Sequence, residues 1–364
     1  MNRVYDNLNR KSVLLLLIVA IAVVYFAAGY FRASKSPANM RADRVSFLVR
    51  PVSRWPWRHD TLEIVNADQM GATSLRVPGQ LPTWSPNGSY ITYFKEADLY
   101  VAPVENINVA TLLQPGGERS EIWWSPDETK LARKSTKGVS IINVEDKKVV
   151  SIIEIDDTFG LFLDWSPSGQ KIAASNQEGL YIYDLALETI LEIKPPQGRS
   201  VRYSELDWAP DEQRLVVRLT NRVYGRIDPG DPGGLAIVEA DGTNVQQIRF
   251  QDQDLFPQWS PDGKFIALVQ RNLYLIKPDG TYVQRLTSGE DIRQPFRWEP
   301  EGSRIAYISE DRSDCRLLTH IMMDVAFEYC PPTIKIVDTV DRSTVVVKYP
   351  ENAWIRNLTW FSAE

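Results

Sequence analysis

Histidine is almost missing from this chain. There are two in 364 residues, His59 and His320, and no serine sits in a G-x-S-x-G elbow. A serine hydrolase triad needs both parts, so that chemistry has no footing here. Cysteine is equally scarce. Cys315 and Cys330 are the only two, in no C-x-x-C pair, and no H-E-x-x-H segment accompanies them. The usual zinc patterns are therefore absent, as are Walker and dinucleotide-binding glycine loops. Positive charge is not in excess. The net charge is -6 and the pI about 5.3, so no basic field points to nucleic acid. No cofactor, no metal set and no catalytic set is expected.

Long apolar runs are missing too, with one exception. Ser12–Phe31 (SVLLLLIVAIAVVYFAAGYF) holds 20 uncharged residues. A helix of that length rises about 30 Å, the thickness of a bilayer's hydrocarbon core. The run is longer than a signal peptide's apolar region and lacks a small-x-small exit. It is expected to be an uncleaved single-pass anchor. Residues 1–11 would be a short head, 12–31 the span, 32–44 a polar linker and 45–364 the folded domain. Arg3, Arg10 and Lys11 precede the span, and Arg32, Lys35, Arg41 and Arg44 follow it. That near-balance does not orient the chain. A Cys315–Cys330 disulfide would need an oxidising compartment. The joint expectation is a membrane protein with its domain outside the cytoplasm, periplasmic or at the cell surface.

What the chain has in abundance is one repeated phrase. WSPNGSYITYF starts at Trp84, WSPDETKLARK at Trp124 and WSPSGQKIAAS at Trp165. WAPDEQRLVVR starts at Trp208, WSPDGKFIALV at Trp259 and WEPEGSRIAYI at Trp298. Successive tryptophans are 40, 41, 43, 51 and 39 residues apart. Each unit contains four short alternating runs broken by Gly, Asp and Pro, which reads as four strands and their turns. Four strands every 40 to 45 residues indicate a β-propeller. Trp360, in the closing WIRNLTWFSAE, stands where a seventh copy would start, and three unassigned strand-like runs precede the first copy. The expected fold is all-β: a seven-bladed propeller closed by pairing of its N- and C-terminal strands and preceded by one transmembrane helix. Trp84, Trp124, Trp165, Trp208, Trp259, Trp298 and Trp360 are its expected structural residues, each filling the gap between blades.

The six WSPDG-type copies, with LYLIKPDG after the fifth, resemble the TolB-type propeller repeat, which is similar to WD-type repeats. The resemblance covers roughly Val45–Glu364. It implies a binding scaffold of the cell envelope. Related propellers also serve as the lid of oligopeptidases, a role whose catalytic half is not expected here, since these residues hold no hydrolase triad. The Trp124 and Trp208 copies lack the turn glycine, and the last reads WFS. Fold likeness alone does not establish function.

Three long insertions fall at one junction of the repeat, between the second and third strands: Pro51–Asp60, Asn221–Gly234 and Glu310–Pro332. Long loops on a rigid scaffold carry binding surfaces. Arg54, Trp55, Trp57 and Arg58 in the first, Arg222, Tyr224 and Arg226 in the second, and Arg316, Phe327 and Tyr329 in the third are the candidate partner-binding residues. Leu317, Leu318, Ile321, Met322, Val325 and Phe327 suggest one or two helical turns there. A Cys315–Cys330 bridge would close that loop. The expected function is a non-catalytic, membrane-anchored scaffold for a protein or peptide partner, as an accessory subunit of a complex. The alternative is a small-ligand sensor or a lactonase-like metal hydrolase at the central pore.

Overall fold

The computed structural model describes residues 44–361, apart from 52–60, 67–71, 118, 136–137, 156–160, 177, 196–201, 221–233, 250–255, 293–295, 311–315, 321–324, 330–331 and 348–352. Thirty strands make up nearly all of the regular structure, and every ladder is antiparallel. Strands β1 Arg44–Pro51, β2 Thr61–Asn66 and β3 Ala72–Arg76 come first. Six blades follow. The first is β4 Gln80–Trp84, β5 Tyr90–Lys95, β6 Asp98–Pro103 and β7 Thr111–Gln114. The second is β8 Ile122–Trp124, β9 Lys130–Ser135, β10 Gly138–Asn143 and β11 Lys148–Glu154. The third is β12 Phe162–Trp165, β13 Lys171–Ser175, β14 Leu180–Asp184 and β15 Thr189–Ile193. The fourth is β16 Arg202–Trp208, β17 Arg214–Thr220, β18 Gly234–Glu239 and β19 Val245–Arg249. The fifth is β20 Gln258–Trp259, β21 Ile266–Gln270, β22 Asn272–Ile276 and β23 Tyr282–Arg285.

The sixth blade is interrupted. β24 Arg297–Trp298 and β25 Arg304–Glu310 are followed by a separate hairpin, β26 Arg316–His320 and β27 Val325–Tyr329. The blade then resumes with β28 Pro332–Asp338 and β29 Thr344–Val347. The last strand, β30 Ala353–Phe361, joins the first three in a composite sheet ordered β3-β2-β1-β30. Val45, Leu358 and Trp360 from this sheet pack on Ala306, Ile308 and Ile336 of the sixth blade. Leu75, on β3, packs against the first blade's core around Trp84 and Ile91.

Two parts of the expected fold are corrected. Instead of seven like blades, there are six blades, the sixth interrupted by a hairpin, and the two chain ends share a composite sheet. Among the described residues no helix is long and apolar enough to cross a membrane; Ser12–Phe31 lies outside them. A third correction concerns the last insertion. It holds a β-hairpin where helical turns were expected. The alternation of Val325, Phe327 and Tyr329 with Ala326 and Glu328 is a strand period that the helical reading overlooked.

The repeated turn explains itself locally. In WSPDG the Ser260 hydroxyl donates to Asp262 Oδ1 at 2.7 Å and accepts the Phe265 N–H at 3.0 Å. Asp262 also accepts the Lys264 N–H, and Gly263 takes φ +70. Ser85, Ser125 and Ser166 occupy the same buried slot. The tryptophans fill the seams between blades. Trp124 sits among Phe94, Leu99 and Val101 of the preceding blade, and Trp259 among Val216, Leu235 and Ile237 of its own predecessor. Arg214 lies over the Trp259 ring at 5.0 Å, and Arg304 over Trp360 at 5.2 Å. Trp298 is only half-buried, although its indole N–H reaches the Gln258 carbonyl at 3.4 Å.

Candidate functional site: channel and insertion face

First strands of neighbouring blades lie side by side around the ring axis: β4 by β8, β8 by β12, β12 by β16, β16 by β20. The residue just before each repeat tryptophan therefore belongs to the inner wall. Around the ring these are Thr83, Trp123, Asp164, Asp207, Gln258, Arg297 and Thr359. One arc carries charge and the other carries none.

Along the charged arc the side chains of Asp164, Asp207 and Gln258 reach into the next blade. Asp164 Oδ2 accepts the Trp208 N–H at 3.0 Å, and Asp207 Oδ2 accepts the Trp259 N–H at 2.7 Å. The Gln258 amide, oriented by its neighbours, donates to the Phe296 carbonyl at 3.0 Å and accepts from Arg297 Nη1 at 2.8 Å. Arg297 Nη1 also donates to Phe296 O at 2.9 Å. By accessible surface these residues are half-buried, because they open onto the channel, but protein crowds them on all sides. Desolvation accordingly pushes the Asp164 carboxyl above its ordinary range, against the Trp208 and Trp165 N–H groups and Arg297. Desolvation also raises Asp207, reinforced by the Asp164 charge and opposed by the Trp259 N–H and Arg297. The Arg297 guanidinium is itself lowered by burial, with both carboxylates holding it up. The cluster is a compensated ionic node that stitches the third to sixth blades. Its signal was present in the sequence as the column preceding each tryptophan, which varies while the tryptophan does not.

The other candidate surface is the face where second-to-third-strand turns and fourth-to-first connections emerge. All three insertions leave from it, between β1 and β2, between β17 and β18, and between β25 and β28. An open cleft of about 710 Å³ lies there at the seam of the fifth and sixth blades, lined by Arg271, Arg285, Glu290, Glu310 and Lys335, among others. Lys335 Nζ is 2.8 Å from both Glu290 oxygens, and the buried Ser309 hydroxyl donates to the same carboxylate. A second cleft of about 400 Å³, at the seam of the first and second blades, is lined by Gly116, Gly117, Arg133 and Lys134. Arg133 donates to Gly116 O at 3.2 Å and lies 5.4 Å from the Phe94 ring centre. Both clefts were missed from sequence, because strands distant along the chain supply their walls.

Arg54, Trp55, Trp57, Arg58, Arg222, Tyr224, Arg226, Cys315 and Cys330 lie outside the described residues. Arg316 and Tyr329 are cross-strand partners in the hairpin, and Phe327 is paired with Leu318. Among the described residues no group of three His, Cys, Asp or Glu stands together as a metal site.

With this geometry in hand, known proteins can be compared. No family model matches the chain. Over 143 residues it is 26% identical to a TolB homolog of Chlorobium luteolum, a stretch that is 38% of this chain and 31% of that protein. TolB from Acinetobacter baumannii superposes with a TM-score of 0.50 at 15% identity, covering 88% of this chain and 67% of that one. The β-propeller domain of the trilobed protease from Pyrococcus furiosus gives 0.58 at 14% identity, covering 85% and 96%. The chain is similar to TolB-type propellers. At these identities the structural likeness speaks for the fold.

Proposed function

We propose that this TolB-like propeller is a non-catalytic scaffold that holds a protein or peptide partner on its insertion face. The propeller works outside the cytoplasm, as an accessory subunit of an envelope complex. The observation that carries the reading is the one-sidedness of the fold. The strands that flank the three long insertions end on the face that holds the two clefts named above, whereas the opposite face is built of tight turns whose Ser and Asp side chains are spent on their own backbone. Arg54, Trp55, Trp57, Arg58, Arg222, Tyr224 and Arg226 supply the arginine and aromatic anchors common at interfaces. Cys315 and Cys330 are the sequence neighbours of the paired Arg316 and Tyr329, so a bridge between them would close the hairpin at its base. The runner-up, a small ligand in the channel, must compete with the N–H groups and the guanidinium that already engage Asp164 and Asp207.

The test is a purification of the tagged chain from mild-detergent membranes, beside a variant with all three insertions replaced by short Gly-Ser turns. A stoichiometric companion seen only with the parent supports the insertion face. A companion that survives the replacement moves the interface elsewhere, and none with either chain ends the scaffold reading.

A further inference from the structure

β11 is the outermost strand of the second blade, whose sheet is ordered β11-β10-β9-β8 from rim to axis. Among the described residues nothing pairs with its outer backbone edge. Each blade has one such strand, and an open edge is a template for another chain. The other outer strands are short, at four or five residues each. β11 has seven, and three of them are apolar side chains in solvent. Val149 is 42% exposed, and Val150 and Ile152 are each 53% exposed. The register gathers them on one side. Ile142 is opposite Val149 and Ser140 is opposite Ile152, so Val149 and Ile152 share a side of the sheet. Val150 is the extra residue of a bulge between those two pairs. Ser151 and Ile153 take the other side. There the Ser151 hydroxyl lies 3.0 Å from the Tyr183 hydroxyl of the third blade, and Ile153 is buried.

The two ends of the strand carry opposite charges. Lys147 and Lys148 stand at its start and Glu154 at its end. All three are exposed, and among the described residues none has an ion-pair partner. A two-fold axis through Ser151 sets the strand antiparallel to its own copy and makes these ends complementary. Ser151 then faces Ser151. The bulged Val149 and Val150 face Ile152 of the other copy on the same side, and Lys147 and Lys148 lie beside its Glu154 at both ends. The same operation on β15, centred on Leu191, sets the apolar Ile190 against Glu192. We infer that β11 is a self-association edge, through which two copies of this chain join their second blades into one eight-stranded sheet. A second copy is the occupant because the strand matches its own reversal in charge and in apolar side chains. The contact is small, so the dimer is a weak one. It lies on the rim and needs no other protein, so it stands or falls apart from the insertion-face reading above.

The test is sedimentation equilibrium of the full chain in density-matched detergent, with a charge-swap set. The parent should dimerise at tens of micromolar. Glu154→Lys puts only lysines at each end of the contact, and the double variant Lys147→Glu, Lys148→Glu puts only carboxylates there. Each should weaken dimerisation at least about tenfold, because like charges directly opposite repel. Mixed in equal amounts, the two variants should form a heterodimer, since both ends then join unlike charges. The chain carrying all three substitutions should self-associate as the parent does, which a folding defect would not allow. Thr189→Lys, on the exposed β15, should leave the dissociation constant unchanged. The inference is overturned by a monomeric parent at tens of micromolar, by charge reversals without effect, by a mixture that stays monomeric, or by a Thr189→Lys effect as large as that of Glu154→Lys.

Discussion

Glu212 clasps Ser168 across 44 residues of chain: its Oε2 accepts the Ser168 hydroxyl at 2.9 Å, and its Oε1 accepts the Ser168 N–H. Glu128 makes the like tie two seams earlier, accepting the Asn87 N–H at 2.7 Å. Both glutamates occupy the positive-φ slot of the repeat turn, at +56 and +58, where other copies have glycine. The two copies that break the WSPDG pattern thus exchange backbone ease for a tie to the preceding blade. Replacing Glu212 by alanine keeps the strained φ and loses the tie, and should cost about 1–2 kcal/mol. Glycine loses the tie but relieves the strain, and should stay within about 0.5 kcal/mol of the parent. Urea midpoints of the two variants check the difference.

That pair shows what the sequence could and could not say. Tryptophan spacing, the four-run unit and the use of both chain ends were legible, because each is a local pattern repeated. The role of Glu128 and Glu212 was not, because their partners, Asn87 and Ser168, belong to another copy. The 310–332 insertion went wrong for a different reason. Leu317, Leu318, Ile321, Met322 and Val325 match a helical period while Val325, Phe327 and Tyr329 match a strand period, and only pairing with a second strand separates the two. The channel node lay between these cases. Asp164, Asp207 and Arg297 were visible as a varying column, but their mutual charge compensation required the ring to be closed.

Gly138 opens β10 with φ +128. A Cβ added there would meet the Ile153 carbonyl oxygen well inside the 3.0 Å that real Cβ atoms essentially never cross, and the Ile155 nitrogen at 2.8 Å. Both neighbours are backbone and cannot swing away. Gly138→Ala should therefore cost about 3 kcal/mol or more, combining backbone strain with displacement of β11. Thermal unfolding followed by circular dichroism should show the drop, whereas alanine at Gly116, whose Cβ would meet nothing within 4 Å, should cost only its own φ strain.

Ser260 is 1% exposed, and its hydroxyl both donates to Asp262 and accepts from Phe265. Ser260→Ala leaves the Phe265 N–H without that acceptor inside a tight turn. A loss of about 1–2 kcal/mol follows from an unsatisfied amide. The fourth blade, with Ala209 in this slot, keeps its turn through Asp211, which accepts the Gln213 N–H at 2.9 Å. The double variant Ser260→Ala, Asp262→Ala should fall short of the sum of the singles, because either single already removes the Ser260–Asp262 bond. A double-mutant cycle in urea measures the shortfall.

The channel node makes stability depend on pH in a definite direction. Asp164 and Asp207 are both raised in the folded chain, chiefly by desolvation, whereas in the unfolded chain they titrate near the ordinary value of about 3.9. Between that value and their folded values the folded state binds more protons than the unfolded one. Stability attached to these groups is thus complete below the unfolded pKa and falls as pH rises through the folded ones. Asp207→Asn removes one such group and keeps an oxygen to accept the Trp259 N–H. Relative to the parent it should gain stability steadily from pH 4.5 to pH 8. Arg297→Gln should do the reverse. It strips the counter-charge from two facing carboxylates, so its penalty, about 2 kcal/mol at pH 8, should shrink as acid neutralises them. Urea titrations of the three proteins at pH 4.5, 6 and 8 decide it: parallel stability curves for parent and Asp207→Asn would mean that Asp207 is ionised across the whole range and that Arg297 dominates its environment.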